Sequence, residues 1–231
     1  MKFGVVIFPG SNCDHDLIDV LEKVSGNPVE ELWHKDTDLK SCTHVFIPGG
    51  FSYGDYLRSG AIAKLSPVME SVVQHAKNGG FVLGICNGFQ ILCESGLLPG
   101  ALLRNENQLF VCDNVYLKCE NDQTAISNHL NTSTAYKIPI AHAEGRYYAD
   151  EETLKKLNAN NQVMFRYCNE HAEVRPQDNP NGSKENIAGI ANEGFNVFGM
   201  MPHPERAASA DLFNEDGLAF FQALLEENSM A

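Results

Sequence analysis

A cysteine between two glycines, at the junction of an apolar run and a helix-like segment, most constrains the fold of this chain. Residues 81–83 predict a strand, and residues 84–88 lead from it into a helix that ends near Gly96. The spacing G-x-C-x-G is typical of a nucleophile elbow, a strained strand-to-helix turn that glycine accommodates at low cost. Such a turn places the Cys86 sulfur at a helix N-terminus, where N–H groups favour a thiolate. The spacing favours a nucleophile over a buried structural cysteine.

Apolar runs alternate with helical patterns through the first half of the chain. The runs predict strands at residues 3–8, 29–33, 44–47 and 80–85. Helices are predicted at residues 14–24 and 61–78, the second interrupted by Pro67. Because strands of a covered parallel sheet are apolar on both faces, we predict an α/β fold. Its sheet is open and mostly parallel, with helices on both faces.

The pattern changes after Gly96 and predicts an antiparallel excursion. Strand-like stretches at residues 102–117 and 136–140 are joined by polar loops without a crossover helix. The later elements are a helix at 151–158, a strand at 163–167, a polar loop at 175–186, a hairpin of 187–191 with 196–201, and a last helix at 217–227. That helix is predicted to bury Leu218, Phe221, Leu224 and Leu225. The length suits one domain over residues 1–231.

Composition excludes several classes of protein. The net charge of −13 argues against a nucleic-acid binder, which needs lysine and arginine to neutralise phosphates. No apolar run approaches the length of a membrane span. The seven cysteines are scattered and form no C-x-x-C pair, which argues against a disulfide framework and against a zinc site. We therefore predict a protein of the reducing cytoplasm.

A thiol nucleophile needs a base, and the base needs a group that orients it. Among eight histidines, His203 stands out because it follows a predicted strand and lies between two prolines. Glu205 is two residues on, and in an extended segment such residues point the same way, so its carboxylate can meet the imidazole. The alternative is a surface histidine in a rigid turn.

The oxyanion formed by nucleophilic attack needs preorganised N–H donors. The N–H of Asn87 follows the nucleophile directly, and Gly50 ends another predicted parallel strand, so both can reach the same edge of the sheet. The alternative for Gly50 is an ordinary tight turn. Residues 51–60, rich in glycine and aromatics, then form a long loop of the kind that often carries function.

Three of these segments, in this order, resemble the class I glutamine amidotransferases: residues 48–50, residues 84–90 and residues 202–205. The resemblance is closest to the small glutaminase subunits that serve a synthetase of purine biosynthesis, through residues 8–14, 50–61 and 141–147. It extends from Lys2 to the last helix and implies a flavodoxin-like sheet. Residues 103–133 carry little of it.

The resemblance implies a triad of Cys86, His203 and Glu205 that hydrolyses glutamine through a thioester. The other residues that it places at the oxyanion or at glutamine are Gly50, Asn87, Gln90, His142, Glu144 and Gly145. For Gln90 the alternative is an amide on a helix surface, and for His142 a packed loop histidine. No metal is implied in this chain.

The chain lacks the phosphate-binding motif G-x-x-x-x-G-K-[ST], so no nucleotide cofactor is predicted in it. The resemblance implies that ATP and Mg²⁺ bind a separate large synthetase subunit, commonly accompanied by a small third subunit. Residues 53–60 are our candidate contact with that partner, because their aromatic side chains follow a strand end beside the predicted site.

Three other interpretations stay open. A cysteine hydrolase of the DJ-1/PfpI type also carries an elbow cysteine, but it would need neither glutamine nor residues 202–205. A non-enzymatic subunit could bind glutamine without turnover, although such proteins usually lose the nucleophile or its base. The glutaminase subunit of a different amidotransferase is separated from our interpretation only by the resemblance of residues 8–14 and 53–60.

Overall fold

The computed structural model describes residues 1–225. Its strands are β1 (Phe3–Ile7), β2 (Glu30–Trp33), β3 (His44–Ile47), β4 (Phe81–Ile85), β5 (Ala101–Leu103), β6 (Val111–Cys119), β7 (Ala135–His142), β8 (Arg146–Tyr148), β9 (Val163–Cys168), β10 (Ile187–Ala191) and β11 (Val197–Met200). Its helices are α1 (Asp14–Ser25), α2 (Pro67–Lys77), α3 (Asn87–Glu94), α4 (Glu151–Ala159) and α5 (Leu218–Gln222). Short 3₁₀ turns occupy parts of the loops.

A nine-stranded sheet in the order β2-β1-β3-β4-β11-β10-β9-β6-β7 forms the centre of the molecule. Neighbours from β2 to β11 are parallel, and those from β11 to β7 are antiparallel. Strands β5 and β8 form a separate antiparallel pair. The predicted α/β fold with an antiparallel excursion is confirmed, and that excursion extends the sheet to its far edge.

The core lies on the parallel strands. Every residue of β3, β4 and β11 is buried, as continuous apolar runs predict for a sheet covered on both faces. Helix α1 buries Leu17, Val20 and Leu21, and each such side chain contributes roughly 1.5–3 kcal/mol. It ends at Gly26, whose left-handed φ of 66° closes the helix.

Two details of the predicted helices differ from the structure. Pro67 does not interrupt a helix but begins α2, because the first helical position needs no N–H donor. In the last helix Phe221 and Leu224 are buried, whereas Leu225 is 37% exposed, so its predicted burial was wrong. Residues 223–225 wind as a 3₁₀ turn, which rotates Leu225 off the predicted face. Predicted helical residues 226 and 227 lie outside the described residues.

The sheet order decides where the functional segments meet. Strands β1, β3, β4 and β11 are parallel, so their carboxyl ends share one edge, where ligand crevices of open α/β sheets form. The loops that leave this edge contain residues 8–13, 48–60, 86–87 and 201–205. Among residues 1–225, no helix combines the length and apolar character that a bilayer crossing requires.

Candidate active site

Cys86 occupies the junction between β4 and α3. Its φ of 51° and ψ of −105° lie outside the regions that non-glycine residues favour, which costs about 1–3 kcal/mol. A Cβ atom on Gly88 would stand 2.0 Å from the carbonyl oxygen of Ile47, and one on Gly84 would stand 2.6 Å from the Gly88 carbonyl. Both glycines are therefore required by close backbone contacts, and the turn has the geometry that the G-x-C-x-G spacing predicts.

His203 and Glu205 form a buried pair just beyond β11. His203 Nδ1 lies 2.6 Å from Glu205 Oε1, and the residues are 1% and 3% exposed. The predicted contact exists, but the predicted extended conformation was wrong. Residues Pro204–Ala207 form a 3₁₀ turn that curls the carboxylate back onto the imidazole, since proline favours the first position of a helical turn.

The sheet brings the histidine to the cysteine. Strand β11 lies parallel to β4, and the Cys86 N–H donates to the Met200 carbonyl at 2.7 Å. Gly49 lies between the two side chains: a Cβ atom there would be 2.6 Å from His203 Cε1 and 3.4 Å from Cys86 Cβ. Only a residue without a side chain leaves room for both groups at this strand end.

The protonation of His203 is set by its neighbours. Burial lowers its pKa, but the charge of Glu205 and the thiols of Cys86 and Cys13 outweigh burial and hold the pKa well above its usual value. A protonated imidazole beside the Cys86 sulfur is a proton donor next to the nucleophile. The arrangement can activate a sulfur nucleophile and deliver a proton to a leaving group.

Gly50 follows β3, and Asn87 directly follows Cys86. Gly50 has a φ of 140°, and a Cβ atom there would lie 2.7 Å from both Asn12 Oδ1 and the Gly10 carbonyl oxygen. The loop after β1 therefore packs so closely against Gly50 that the loop after β3 needs a glycine at this position. Asn87 is the first residue of α3, where backbone N–H groups have no helical acceptor. The two N–H groups are suited to hold an oxyanion.

A cavity of about 170 Å³ opens at the nucleophile. Its walls are formed by Gly50, Phe51, Asp55, Ser59, Cys86, Gln90, Ala141, His142, Ala143 and Glu144. Five of the site residues indicated by the sequence thus meet in one place. Gly145 does not line the cavity but lies behind His142, and a Cβ atom on it would overlap that imidazole at 2.3 Å.

A chain of hydrogen bonds joins the cavity walls. Asn87 Nδ2 donates to Gln90 Oε1 at 2.8 Å, and Gln90 Nε2 donates to the Glu144 carbonyl at 2.6 Å. Ser59 Oγ donates to Glu144 Oε2 at 2.7 Å. Gln90 is 6% exposed, so it belongs to the cavity wall rather than to a helix surface. These hydrogen bonds therefore join the loop after β3, helix α3 and the loop after β7 around one pocket.

Sequence reasoning missed several residues of the site. Cys13 Sγ accepts a hydrogen bond from Arg206 Nη2 at 3.1 Å and lies beside His203. Asp55 lines the cavity, and Asn105 orients the His142 ring. Residue 13 lies in a segment singled out by resemblance, but nothing in its own spacing indicates a contact with residues almost two hundred positions away.

Cys13, His203 and Glu205 are the residues that could hold a metal ion in the described part of the chain. One ligand atom from each lies within 4.8 Å of the others, and all three side chains are buried. However, the Arg206 guanidinium contacts Cys13 Sγ, and a second cation beside it would be repelled. The cluster is therefore better suited to hydrogen bonding than to metal binding.

The sequence is similar to known proteins over nearly its whole length. Residues 1–215 match the family described as the CobB/CobQ-like glutamine amidotransferase domain. A protein of Acaryochloris marina called phosphoribosylformylglycinamidine synthase subunit PurQ is 54% identical over 225 residues, 97% of this chain and 96% of the relative. A protein of Nostoc sp. with the same name is 55% identical over 227 residues, 98% of each chain.

Solved structures resemble the fold as well. A chain of the PurLQS structure from Thermotoga maritima superposes with a TM-score of 0.83 at 41% identity, over 100% of both chains. A glutamine amidotransferase from the same organism has a TM-score of 0.62 at 13% identity, again over 100% of both, which is a likeness of fold alone. This chain belongs to the CobB/CobQ-like glutamine amidotransferase family.

Proposed function

We propose that this chain is the glutaminase subunit of phosphoribosylformylglycinamidine synthase, which releases ammonia from glutamine for a separate ATP-dependent synthetase. One observation carries the proposal: a strained elbow cysteine lines a small cavity and lies beside a buried His203–Glu205 pair. The high identity to subunits of that name supports the choice of complex.

The proposed reaction uses these groups in turn. The Cys86 thiolate attacks the side-chain carboxamide of glutamine, and the N–H groups of Gly50 and Asn87 hold the oxyanion. His203, oriented by Glu205, gives its proton to the departing ammonia. Water then attacks the γ-glutamyl thioester with His203 as base, which releases glutamate and restores the thiol.

The ammonia must reach its acceptor without meeting bulk water, where it is mostly protonated. We place the acceptor site, with its ATP and Mg²⁺, on a large synthetase subunit, accompanied by a small third subunit. The similar chain from Thermotoga maritima belongs to a structure of PurLQS, which supports an assembly of this kind. The sequence has no G-x-x-x-x-G-K-[ST] phosphate-binding motif, which agrees with placing ATP on the synthetase subunit.

The contact with the synthetase is assigned to the loop of residues 53–60. Tyr56 and Leu57 at its tip are 74% and 94% exposed, and Phe51 beside it is 46% exposed. Phe51 stacks on Phe110 at 6.4 Å, and Phe110 is itself half exposed. An apolar patch of this kind at the cavity mouth fits a protein partner that closes over the site.

We further propose that residues 1–231 form a single domain and that the protein is cytoplasmic. We propose neither a nucleic-acid partner nor a membrane partner. All seven cysteines lie within residues 1–225 and are free, which suits a reducing compartment. Cys86 could then work without competing disulfides.

The other interpretations explain less of the site. A DJ-1/PfpI-type hydrolase would have no use for buried Gln90, whose amide joins the cavity walls. A glutamine-binding subunit without turnover would not need the strain at Cys86 or the buried charge at Glu205. The glutaminase subunit of a different synthetase differs only in its partner, so an ammonia-transfer assay with the synthetase subunits distinguishes it.

The test is covalent labelling of the full chain with 6-diazo-5-oxonorleucine, followed by intact-mass and peptide analysis. We expect one adduct, on Cys86, that excess glutamine prevents and that Cys86→Ala abolishes. Cys112→Ala is the matched control. Cys112 is exposed, so its removal would reduce labelling only if exposure decided which thiol reacts, and we expect labelling of this variant to equal that of the wild type. Labelling that follows exposure rather than the glutamine pocket would contradict the proposal.

The complex supplies the second half of the test. With the synthetase subunits present, Cys86→Ala should lose glutamine-dependent synthesis while synthesis from added ammonia survives. Loss of both activities would instead indicate that Cys86 is structural. If wild-type chain is labelled but supports no ammonia transfer to this synthetase, the chain serves another acceptor.

A further inference from the structure

Cys13 is a buried thiol beside the triad that the proposed reaction does not use. It directly precedes α1 and is 4% exposed. Within residues 1–225, it is not among the residues that line the cavity at Cys86, so a substrate in that cavity would not touch it. Its sulfur nevertheless lies beside His203. A group so close to the base, yet outside the cavity, can affect the reaction only through the base.

Three side chains converge on Gly49, just after β3. A Cβ atom on that glycine would lie 2.6 Å from His203 Cε1, 3.2 Å from Cys13 Sγ and 3.4 Å from Cys86 Cβ. The Cys13 N–H also donates to the Gly49 carbonyl at 3.4 Å, which ties the start of α1 to this strand end. The imidazole therefore packs beside two sulfurs that come from different loops, one after β1 and one after β4.

Arg206 defines the role of the Cys13 sulfur. Its Nη2 donates to Cys13 Sγ at 3.1 Å, and its Nε donates to Asp16 Oδ2 at 2.9 Å. A guanidinium has only donors, so the sulfur accepts in this contact. The sulfur also lies at the N-terminus of the twelve-residue helix α1, whose positive end favours an electron-rich group. Cys13 is thus held as a hydrogen-bond acceptor at the start of this helix.

The turn Pro204–Ala207 joins this acceptor to the triad. The turn follows His203 directly and contains both Glu205 and Arg206. Glu205 Oε1 contacts the ring at Nδ1, while Arg206 holds Cys13. Cys13 Sγ, a ring nitrogen of His203 and a carboxylate oxygen of Glu205 all lie within 4.8 Å of one another, and the three side chains are buried. The base therefore has two neighbouring acceptors besides the nucleophile.

The groups around the ring determine how firmly His203 holds a proton. Burial lowers its pKa, but the charge of Glu205 and the thiols of Cys86 and Cys13 outweigh burial and raise the pKa. His142 is the other histidine nearby. Burial and the charge of His203 lower the pKa of His142 to about 4, so its ring stays neutral and adds no charge at neutral pH.

The two sulfurs differ in what happens to them during the proposed reaction. Once ammonia has left, the Cys86 sulfur is bonded to the γ-glutamyl carbonyl carbon and carries no negative charge. Water then attacks that carbon and gives a proton to His203, so an imidazolium forms beside an acylated sulfur. The C–S bond breaks, glutamate leaves, and the Cys86 thiolate takes the proton back. Cys13 is unchanged throughout and stays available as an acceptor.

We propose that Cys13 is a positioning residue for His203, which holds the imidazolium while Cys86 is bound in the thioester and cannot accept from the ring. The inference rests on the proposed glutaminase function and concerns its second half, the hydrolysis of the thioester. It separates the two halves of the reaction, because attack on glutamine begins with the Cys86 sulfur still beside the ring.

The test uses Cys13→Ala and Cys13→Ser in the full chain, with the synthetase subunits present. Rapid acid quench and intact-mass analysis measure how fast the γ-glutamyl group leaves Cys86. In Cys13→Ala this rate should fall about 10-fold, the range for loss of a hydrogen bond to a charged group, so the thioester accumulates. Because kcat/KM reports the steps up to acylation, it should change less than about 3-fold. The hydroxyl of Cys13→Ser keeps an acceptor and should restore most of the rate.

The pH dependence is a second readout, and it does not require turnover. In an NMR titration of the His203 ring, assigned through its loss in His203→Gln, Cys13→Ala should move the midpoint to lower pH, because an acceptor that raises the pKa is gone. Cys42→Ala is the matched control. Cys42 is also buried, but it packs near Gly4 and Leu32, so its removal should alter neither the titration nor the hydrolysis of the thioester.

The outcomes separate the two proposals. A wild type that neither carries a γ-glutamyl group nor releases ammonia from glutamine contradicts the glutaminase function itself. A wild type that hydrolyses glutamine, with unchanged thioester hydrolysis and an unmoved His203 titration in Cys13→Ala, overturns the role of Cys13 and leaves the function standing. Equal effects in Cys42→Ala overturn it as well. If Cys13→Ala does not fold, Cys13→Val keeps the volume without the acceptor and should give the same results.

Discussion

Two segments beside the cavity hold non-glycine residues at positive φ, and they differ in what surrounds them. Cys86, with a φ of 51°, lies between β4 and α3 and is 5% exposed. Tyr53, Asp55 and Leu57 have φ values of 54°, 52° and 72°, and Leu57 is 94% exposed. Packing on all sides fixes the first segment, whereas the second is open to solvent at its tip.

The exposed loop is anchored on both sides of its tip. After the tip, Arg58 pairs with Glu94, and before it the anchor is Tyr53. Tyr53 Oη contacts His34 Nδ1 at 2.5 Å and Ser66 Oγ at 2.8 Å, and the Tyr53 N–H donates to the Pro9 carbonyl at 2.6 Å. Between these anchors the side chains of residues 56 and 57 face water. The contrast indicates that the chemistry belongs to the core, while we assign contact with a partner to the exposed tip of the loop.

Gly88→Ala should have the largest effect on the turn that holds Cys86. Its Cβ would lie 2.0 Å from the Ile47 carbonyl oxygen, so α3 must move away from β3. We expect the free energy of unfolding to fall by about 3 kcal/mol and glutaminase activity to fall more than about 100-fold. Chemical denaturation and ammonia release measure the two effects.

Gly96→Ala is the control for that substitution. Gly96 has a φ of 72° but open space around its Cα, so only backbone strain of about 1 kcal/mol is expected, with activity retained. If the two variants lose the same stability and activity, the close contact at Gly88 is not what holds the elbow.

Glu205→Gln probes the electrostatics of the core site while keeping its shape. Because the Glu205 charge helps to raise the pKa of His203, its loss should lower that pKa. The imidazolium would then deprotonate at lower pH, so the alkaline limb of the kcat/KM profile should shift to lower pH. We expect activity to fall about 100-fold, less than in His203→Ala, which removes the base itself. An unshifted alkaline limb would mean that Glu205 only packs against the ring.

Tyr56→Ala should have the smallest effect on the isolated chain. Its side chain is 74% exposed, so the free energy of unfolding should change by less than about 0.5 kcal/mol. Affinity for the synthetase subunit, measured by calorimetry, should fall about 10-fold if the loop is the contact. Phe213→Ala, at a 98% exposed position after the turn Ala210–Leu212, is the matched control. Unchanged affinity in Tyr56→Ala would remove the loop from the interface.

Most helices and strands could be predicted from the sequence, because each depends mainly on residues that are close in sequence. The runs at residues 44–47 and 80–85 predicted β3 and β4 to within one residue, and the predicted hairpin of 187–191 with 196–201 is formed by β10 and β11. Leu225 was misplaced because the end of a helix can tighten into a 3₁₀ turn without a change in periodicity. The Pro204–Ala207 turn was missed because a proline-flanked histidine suits an extended segment as well as a turn.

Residue types and their spacing were enough to predict the local structures and the chemical groups at their ends: a strained thiol at residue 86, a histidine and carboxylate at 203 and 205, and glycines where backbones approach. Which of these groups meet depends on the packing of the whole fold. The insertion of β11 beside β4 brings His203 to Cys86, and the fold of the loop after β3 turns Asp55 into the cavity. Strand order and loop direction depend on packing between distant segments. The periodicity of one segment shows which of its faces is buried, but it does not predict which distant segment packs against that face.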